Sequence, residues 1–144
     1  MRRGWAAIAV AVLLLVPAIA VADDDGGPRV PSARVLAAGS GTIWIEGRMV
    51  VNGSLRSPGT VRIVDRAGDA VARMSGAQVR FDRRGRAVVR RASGILFVAG
   101  SRVHVTLGGR DLVFAVAGNG RMRLRGRGVY RMNHGPVRAW ADSW

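Results

Sequence analysis

The segment Arg121-Met-Arg-Leu-Arg-Gly-Arg-Gly128 places an arginine at every second position. Side chains alternate between the two faces of an extended strand. Arg121, Arg123, Arg125 and Arg127 therefore share one face, and Met122, Leu124, Gly126 and Gly128 share the other. Successive guanidinium groups then stand roughly 6.5 to 7 Å apart, two residues of strand rise. Each is a planar fork that grips phosphate or carboxylate through two parallel hydrogen bonds. The chemistry open to such a row is recognition of a polyanion, because its spacing is similar to that of phosphates along an extended polymer. A second basic cluster, Arg80, Arg83, Arg84, Arg86, Arg90 and Arg91, is a candidate for the same role. The plainer alternative is a solvated strand face, where arginine keeps a sheet edge from pairing with other chains.

Catalytic chemistry has less to work with. Outside the first residues the chain offers one glutamate, Glu46, and two histidines, His104 and His134. A nucleophilic site needs a base held by an orienting group, and no spacing of Ser, His and Asp suggests one. Two distant histidines without cysteine make a poor zinc site. Asp23-Asp24-Asp25 reads as a solvated run rather than a cation site. Gly118-x-Gly120 lacks the following helix that a dinucleotide fingerprint requires. The expectation is no enzyme, no metal and no cofactor.

The charge supports an anionic partner. The chain carries 23 basic residues against 9 acids, and every basic residue is arginine. A chain rich in Arg, Gly, Ala and Val also fits a GC-rich genome, but codon bias does not choose the sign of the charge. Such a field favours contact with polyanions. There is no cysteine, so neither a disulfide scaffold nor a thiolate site is available.

The elements that must position the arginines read as strands. Val61 and Ile63 alternate with Arg62; Val79 and Phe81 with Gln78, Arg80 and Asp82; Val103, Val105 and Leu107 with Arg102, His104 and Thr106. Ile95–Ala99 and Leu112–Ala117 are apolar on both faces and are expected to be central strands covered on both sides. Asp65-Arg66-Ala67-Gly68 and Asp82-Arg83-Arg84-Gly85 share a hairpin-turn recipe, with a capping Asp first and a Gly able to take positive φ last. Asn52-Gly53, Gly108-Gly109 and Gly118-Asn119-Gly120 are further turn candidates. The expectation is an all-β domain of about nine or ten short antiparallel strands over residues 39–133, a sandwich or small barrel, with a β-solenoid as the alternative. A faint internal duplication relates residues 41–82 to 94–133: Gly41–Gly47 matches Gly94–Gly100, and Gly68, Met74, Gly76 and Val79 match Gly118, Leu124, Gly126 and Val129.

The ends read differently. Arg2 and Arg3, the apolar run Trp5–Val16, Pro17 and the small residues Ala20-Val21-Ala22 have the layout of a secretory signal peptide over residues 1–22. An uncleaved membrane anchor is the alternative. Cleavage after Ala22 removes Arg2 and Arg3, leaving 21 basic residues against 9 acids, about +12. Residues 23–38 read as a flexible linker. The tail from His134 to Trp144 places Trp140 and Trp144 at helical spacing, which suits a helical turn over an open end of the core. Export disfavours nucleic acid and points to anionic envelope polymers or lipid headgroups as partners of a secreted, arginine-rich module. The runner-up is a self-assembling structural protein.

Overall fold

The computed structural model describes residues 33–140. The signal segment, Asp23–Asp25 and Trp144 lie outside the described residues. The described chain is all-β: β1 (Ala33–Asp65), β2 (Val71–Met74), β3 (Arg86–Met132) and β4 (Val137–Ala139) form one antiparallel sheet. Residues 33–38, expected in the linker, belong to β1. In the tail Val137–Ala139 form strand β4, and the rest of the expected helical turn, residues 141–144, lies outside the described residues.

Nine or ten short strands are not what forms. β1 runs for 33 residues and β3 for 47, and the same two strands meet along both edges. Ile43 pairs with Leu107 on one side and Leu124 on the other. Leu107 pairs in turn with Val61, and Val61 with Val89. The lateral row is therefore Leu124, Ile43, Leu107, Val61, Val89, alternating between β3 and β1. A neighbouring row reads Met122, Ile45, Val105, Ile63, Ala87. Two strands that alternate sideways in this way must curl, so the apolar face of each row turns toward a shared interior.

Alternation sets that interior. In β1 Val35, Ala37, Ile43, Ile45, Met49, Val51, Leu55, Val61 and Ile63 are buried, all at odd positions. One phase holds across the whole strand. In β3 the phase switches. Val103, Val105 and Leu107 point inward at odd positions, then Leu112 and Phe114 at even ones. Between these sets Asp111 has φ 52°, and Arg91, before the buried Ala92, Leu96 and Val98, has φ 51°. A residue in this left-handed region marks an extra residue in one strand, which re-aims everything after it. The Asp111 bulge is pinned by its neighbours. Its N–H donates to Ser40 Oγ at 3.1 Å, and its carboxylate accepts from Ser57 Oγ at 3.2 Å. Among the described residues no polar or charged side chain is buried.

Several glycines expected in turns lie inside the ladder instead. Gly53 pairs with Leu96 and Phe114, Gly108 with Thr42 and Thr60, and Gly120 with Gly47. Gly120 lies too close to the Glu46 carbonyl and Gly47 for a side chain to fit, Gly53 and Gly108 have room for one, and none of the three reverses the chain. The two Asp-x-x-Gly segments are real turns. Asp65 Oδ1 accepts from the N–H groups of Ala67 (3.1 Å) and Gly68 (2.8 Å), and Asp82 Oδ1 from those of Arg84 (2.8 Å) and Arg86 (2.9 Å). Gly68 and Gly85 take φ of 78° and 70°. They open and close the excursion between β1 and β3, so the first does not make the expected hairpin of its own.

Three further expectations fail. Val79 and Phe81 keep their half-buried alternation but join no ladder. Ile95 is 64% exposed while Phe97 and Ala99 are half-buried, so the outer face of Ile95–Ala99 is only partly covered, whereas Leu112, Val113, Phe114 and Ala115 are all buried. The duplication is partial. Gly41–Gly47 and Gly94–Gly100 share an in–out pattern, with Ile43 and Ile45 buried like Leu96 and Val98. Beyond that the match breaks, because Gly68 ends a turn while its counterpart Gly118 pairs with Met49 inside the ladder.

Candidate anion-binding face

The ladder forms as alternation requires. Arg121, Arg123, Arg125 and Arg127 are exposed, Leu124 is buried, and Met122, Gly126 and Gly128 are half-buried. Hydrophobic burial of Leu124 and Met122 against the interior fixes which way the arginines point. Across the strand pair Arg121 faces Glu46, Arg123 faces Trp44, Arg125 faces Thr42 and Arg127 faces Ser40. Among the described residues, Gly120–Arg127 pairs with β1 along one edge only.

Directly opposed residues of an antiparallel pair share a face. The outer rows therefore continue sideways: Arg123, Trp44, Thr106, Arg62, Val88, and Arg121, Glu46, His104, Val64, Arg86. This brings a half-buried indole, Trp44, into the arginine face. Local sequence around the ladder suggests only Tyr130 as an aromatic neighbour, yet Tyr130 packs against the core. The signal for Trp44 lay in its own strand: with Ile43 and Ile45 inward, position 44 must point outward.

The second cluster is more dispersed. Arg86 Nε lies 3.2 Å from Asp82 Oδ2, with both side chains about half exposed. The Arg80 guanidinium donates to Gln78 Oε1 at 3.1 and 2.7 Å. Arg83 and Arg84 are exposed in the Asp82 turn, and Arg90 and Arg91 are exposed at the bulge. Arg86 shares a lateral row with Arg121, but Glu46, His104 and Val64 intervene. At about 4.8 Å per strand the two are roughly 19 Å apart along the sheet. Along that row the two clusters are not contiguous, because Glu46, His104 and Val64 stand between them.

Titratable groups are few. The Ser101 side chain and its N–H, 3.1 Å from Asp69 Oδ1, hold the Asp69 carboxyl below the usual carboxylate range. The Arg86 N–H, with that of Arg84 and the Arg86 guanidinium, does the same for Asp82. Both stabilise the charged form by donating to it. Glu46 and His104 oppose each other across the ladder, but no hydrogen bond or ion pair joins them. His134 is exposed in the turn after β3, where its carbonyl accepts from Arg131 at 3.4 Å. Among the described residues no group of three or more acidic or histidine side chains gathers to hold a metal.

Beside the ladder lies a half-open cleft of about 570 Å³, formed where the start of β1 meets the last part of β3. Ile45 and Met49 face it from the core side, and Val35, Met122, Tyr130 and Met132 are among the other residues that line it. Sequence reasoning has no access to this cleft, because its walls come from distant stretches of the chain. Compared with protein-family models, curated proteins and solved structures, the chain matches none.

Proposed function

We propose that this protein is an exported, non-enzymatic β domain that binds anionic envelope polymers or lipid headgroups through its arginine face. The observation that carries the proposal is the row Arg121, Arg123, Arg125 and Arg127, all exposed on one strand, with Trp44 set among them on the next. Four forks at regular spacing suit repeated anionic groups, and an amphipathic indole suits a sugar face or a headgroup layer. The signal-like residues 1–22 support export. Because a single sheet carries both long strands, we read the fold as a small barrel rather than a two-sheet sandwich.

Retention on an anionic polymer across a salt gradient tests the proposal. The wild type is expected to elute later than an Arg123→Ala/Arg125→Ala double variant, and both earlier as salt rises, since each phosphate contact releases counterions. Equal and salt-insensitive retention overturns it. A second reading, assembly of copies edge to edge, is favoured by the one-sided pairing of Gly120–Arg127 among the described residues. Sedimentation across a wide concentration range decides that reading; a strict monomer at high concentration overturns it.

A further inference from the structure

We propose that one part of the sheet's outer face lies on a lipid layer with anionic head groups. This surface uses residues outside the Arg121–Arg127 ladder, so it stands whether or not the ladder binds a polyanion. In β1 the odd positions point inward, and the even ones therefore point outward. Opposed residues of an antiparallel pair share a face. One outward row runs Arg131, Leu36, Ala115, Asn52, Phe97, Arg73 across β3, β1 and β2. The row on one side of it reads Arg34, Ala117, Val50, Ala99, Val71. The row on the other side reads Val129, Ala38, Val113, Ser54, Ile95. The outer positions of an antiparallel sheet with one solvated face are ordinarily polar. Here every side chain is apolar apart from Asn52, Ser54 and the three arginines. Val113 and Ala115, at the centre, are buried, and the accessible apolar side chains lie toward β2. Val71 is 46% exposed and Ile95 64%, with Phe97 and Ala99 half-buried between them. Val137, also exposed, extends the middle row beyond Arg131. Among the described residues five large apolar side chains are exposed, and three of them thus share this face. Apolar side chains gathered on one exposed face mark an interaction surface.

Charge selects the partner. Among the described residues, the charged side chains of these rows are Arg34, Arg73 and Arg131, each toward a row end. Asp69 and Asp111 lie two residues along the chain from Val71 and Val113, and their carboxylates already accept from the Ser101 N–H and Ser57 Oγ. Arginine lays its stem along apolar surface and keeps its fork at the polar boundary. Apolar side chains between cations on one face match acyl chains beneath anionic head groups. A second copy packed face to face would set the three arginines against the same three, with no acid in the rows to pair them. A hydrated polymer would give Val71 and Ile95 no apolar partner.

The chain has no cysteine, so Ile95→Cys and Val88→Cys each carry one dye at one chosen position. Both positions are exposed, at 64% and 52%, and Val88 lies in the outward row of Trp44 and Arg62. The full chain is mixed with vesicles of phosphatidylcholine and phosphatidylglycerol whose acyl chains carry bromine as a quencher. The dye at position 95 is expected to be quenched, and at least about fivefold less on pure phosphatidylcholine, which offers the arginines no net negative surface. The dye at position 88 should stay in water on both. Val71→Cys repeats the reading on the neighbouring strand. Attachment through the N-terminal segment alone leaves both dyes unquenched, so it cannot imitate the expected result. Quenching at position 95 no greater than at position 88, or equal on the two vesicle types, overturns the proposal. So does a dye at position 95 already shielded before lipid is added, as a second copy would shield it. Retention on polyphosphate, which has no acyl chains, separates this surface from the ladder. A protein held by polyphosphate that leaves position 95 in water keeps the ladder and loses only the lipid surface. One that inserts position 95 without salt-dependent retention does the reverse.

Discussion

Gly41 and Gly126 face each other across the β1–β3 ladder so closely that neither has room for a side chain. A Cβ on Gly41 would lie 2.9 Å from the Gly126 Cα, and one on Gly126 would lie 2.8 Å from the Gly41 Cα. Both residues have φ in the range that L side chains rarely adopt, at 147° and 129°. Gly47 and Gly120 repeat the relationship further along. These pairs let the last part of β3 bend tightly onto β1, which sets the arginine row beside Trp44.

A first prediction tests that close approach. Gly126→Ala is expected to cost about 2–5 kcal/mol, combining the strained φ with a backbone that must shift. Gly68→Ala provides the control, because Gly68 has φ 78° but nothing within 4 Å of an added Cβ. It should cost only the left-handed penalty, about 1–2 kcal/mol. Urea unfolding of both variants decides; equal costs would show that the ladder glycines are there for conformation alone.

Trp140 argues the second. Its indole lies over Gly39 and Gly128, and its side chain is buried in the core cluster. Two hydrogen bonds hold it: its N–H to the Gly128 carbonyl at 2.9 Å, and Nε1 to the Val129 carbonyl at 3.1 Å. The paired glycines leave a gap that one large side chain fills. Trp140→Ala should therefore cost about 3–5 kcal/mol. Trp140→Phe should restore much of that, short of about 1 kcal/mol for the lost Nε1 bond. Thermal melts of the three proteins make the comparison. A negligible loss in Trp140→Ala would mean that the tail is ornamental to the fold.

The acid limb of stability argues the third. Asp82 is held below the usual carboxylate range by donors from Arg86 and Arg84. A carboxyl whose folded-state pKa is lowered stabilises fully above its unfolded pKa, and that contribution disappears as pH falls through the folded value. Asp82→Asn keeps an oxygen for the N–H donors but carries no charge. The wild type should melt higher than Asp82→Asn at about pH 7, and the gap should narrow as pH falls below the usual carboxylate range. A gap constant across that range would assign the effect to geometry rather than charge.

These relationships also show where the sequence is legible. The ladder is legible because Arg121–Arg127 obeys a period of two locally, and the apolar Met122 and Leu124 fix its phase. Val61, Ile63, Val103, Val105 and Leu107 are legible as buried faces for the same reason. The Asp65 and Asp82 turns are legible because a side-chain acceptor and a positive-φ glycine are short-range requirements. Strand length is not. Gly53, Gly108 and Gly120 carry the same residue type as a turn, and only the partner strand decides that they continue the ladder rather than reverse the chain. The phase switches at Arg91 and Asp111 are hidden because bulges there are occupied by residues with no marked preference for positive φ over other conformations, or only a modest one. The cleft is illegible for a different reason: Val35, Met49, Met122 and Met132 meet only through the ladder.

Arg125 and Arg86 should respond differently to a polyanion. Arg125 is exposed on the ladder opposite Thr42, whereas Arg86 already lies 3.2 Å from the Asp82 carboxylate. An anionic polymer must displace that carboxylate to use Arg86 and meets no such competitor opposite Arg125. Arg125→Ala should lower the slope of log affinity against log salt by about one contact, and Arg86→Ala by clearly less. Asp82→Asn, which releases Arg86, should raise retention above the wild type. Elution from an anionic column measured over several salt concentrations reads all three. If Arg86→Ala and Arg125→Ala shift elution equally, the polymer senses the chain's net charge through the solvent and not the spacing of the ladder.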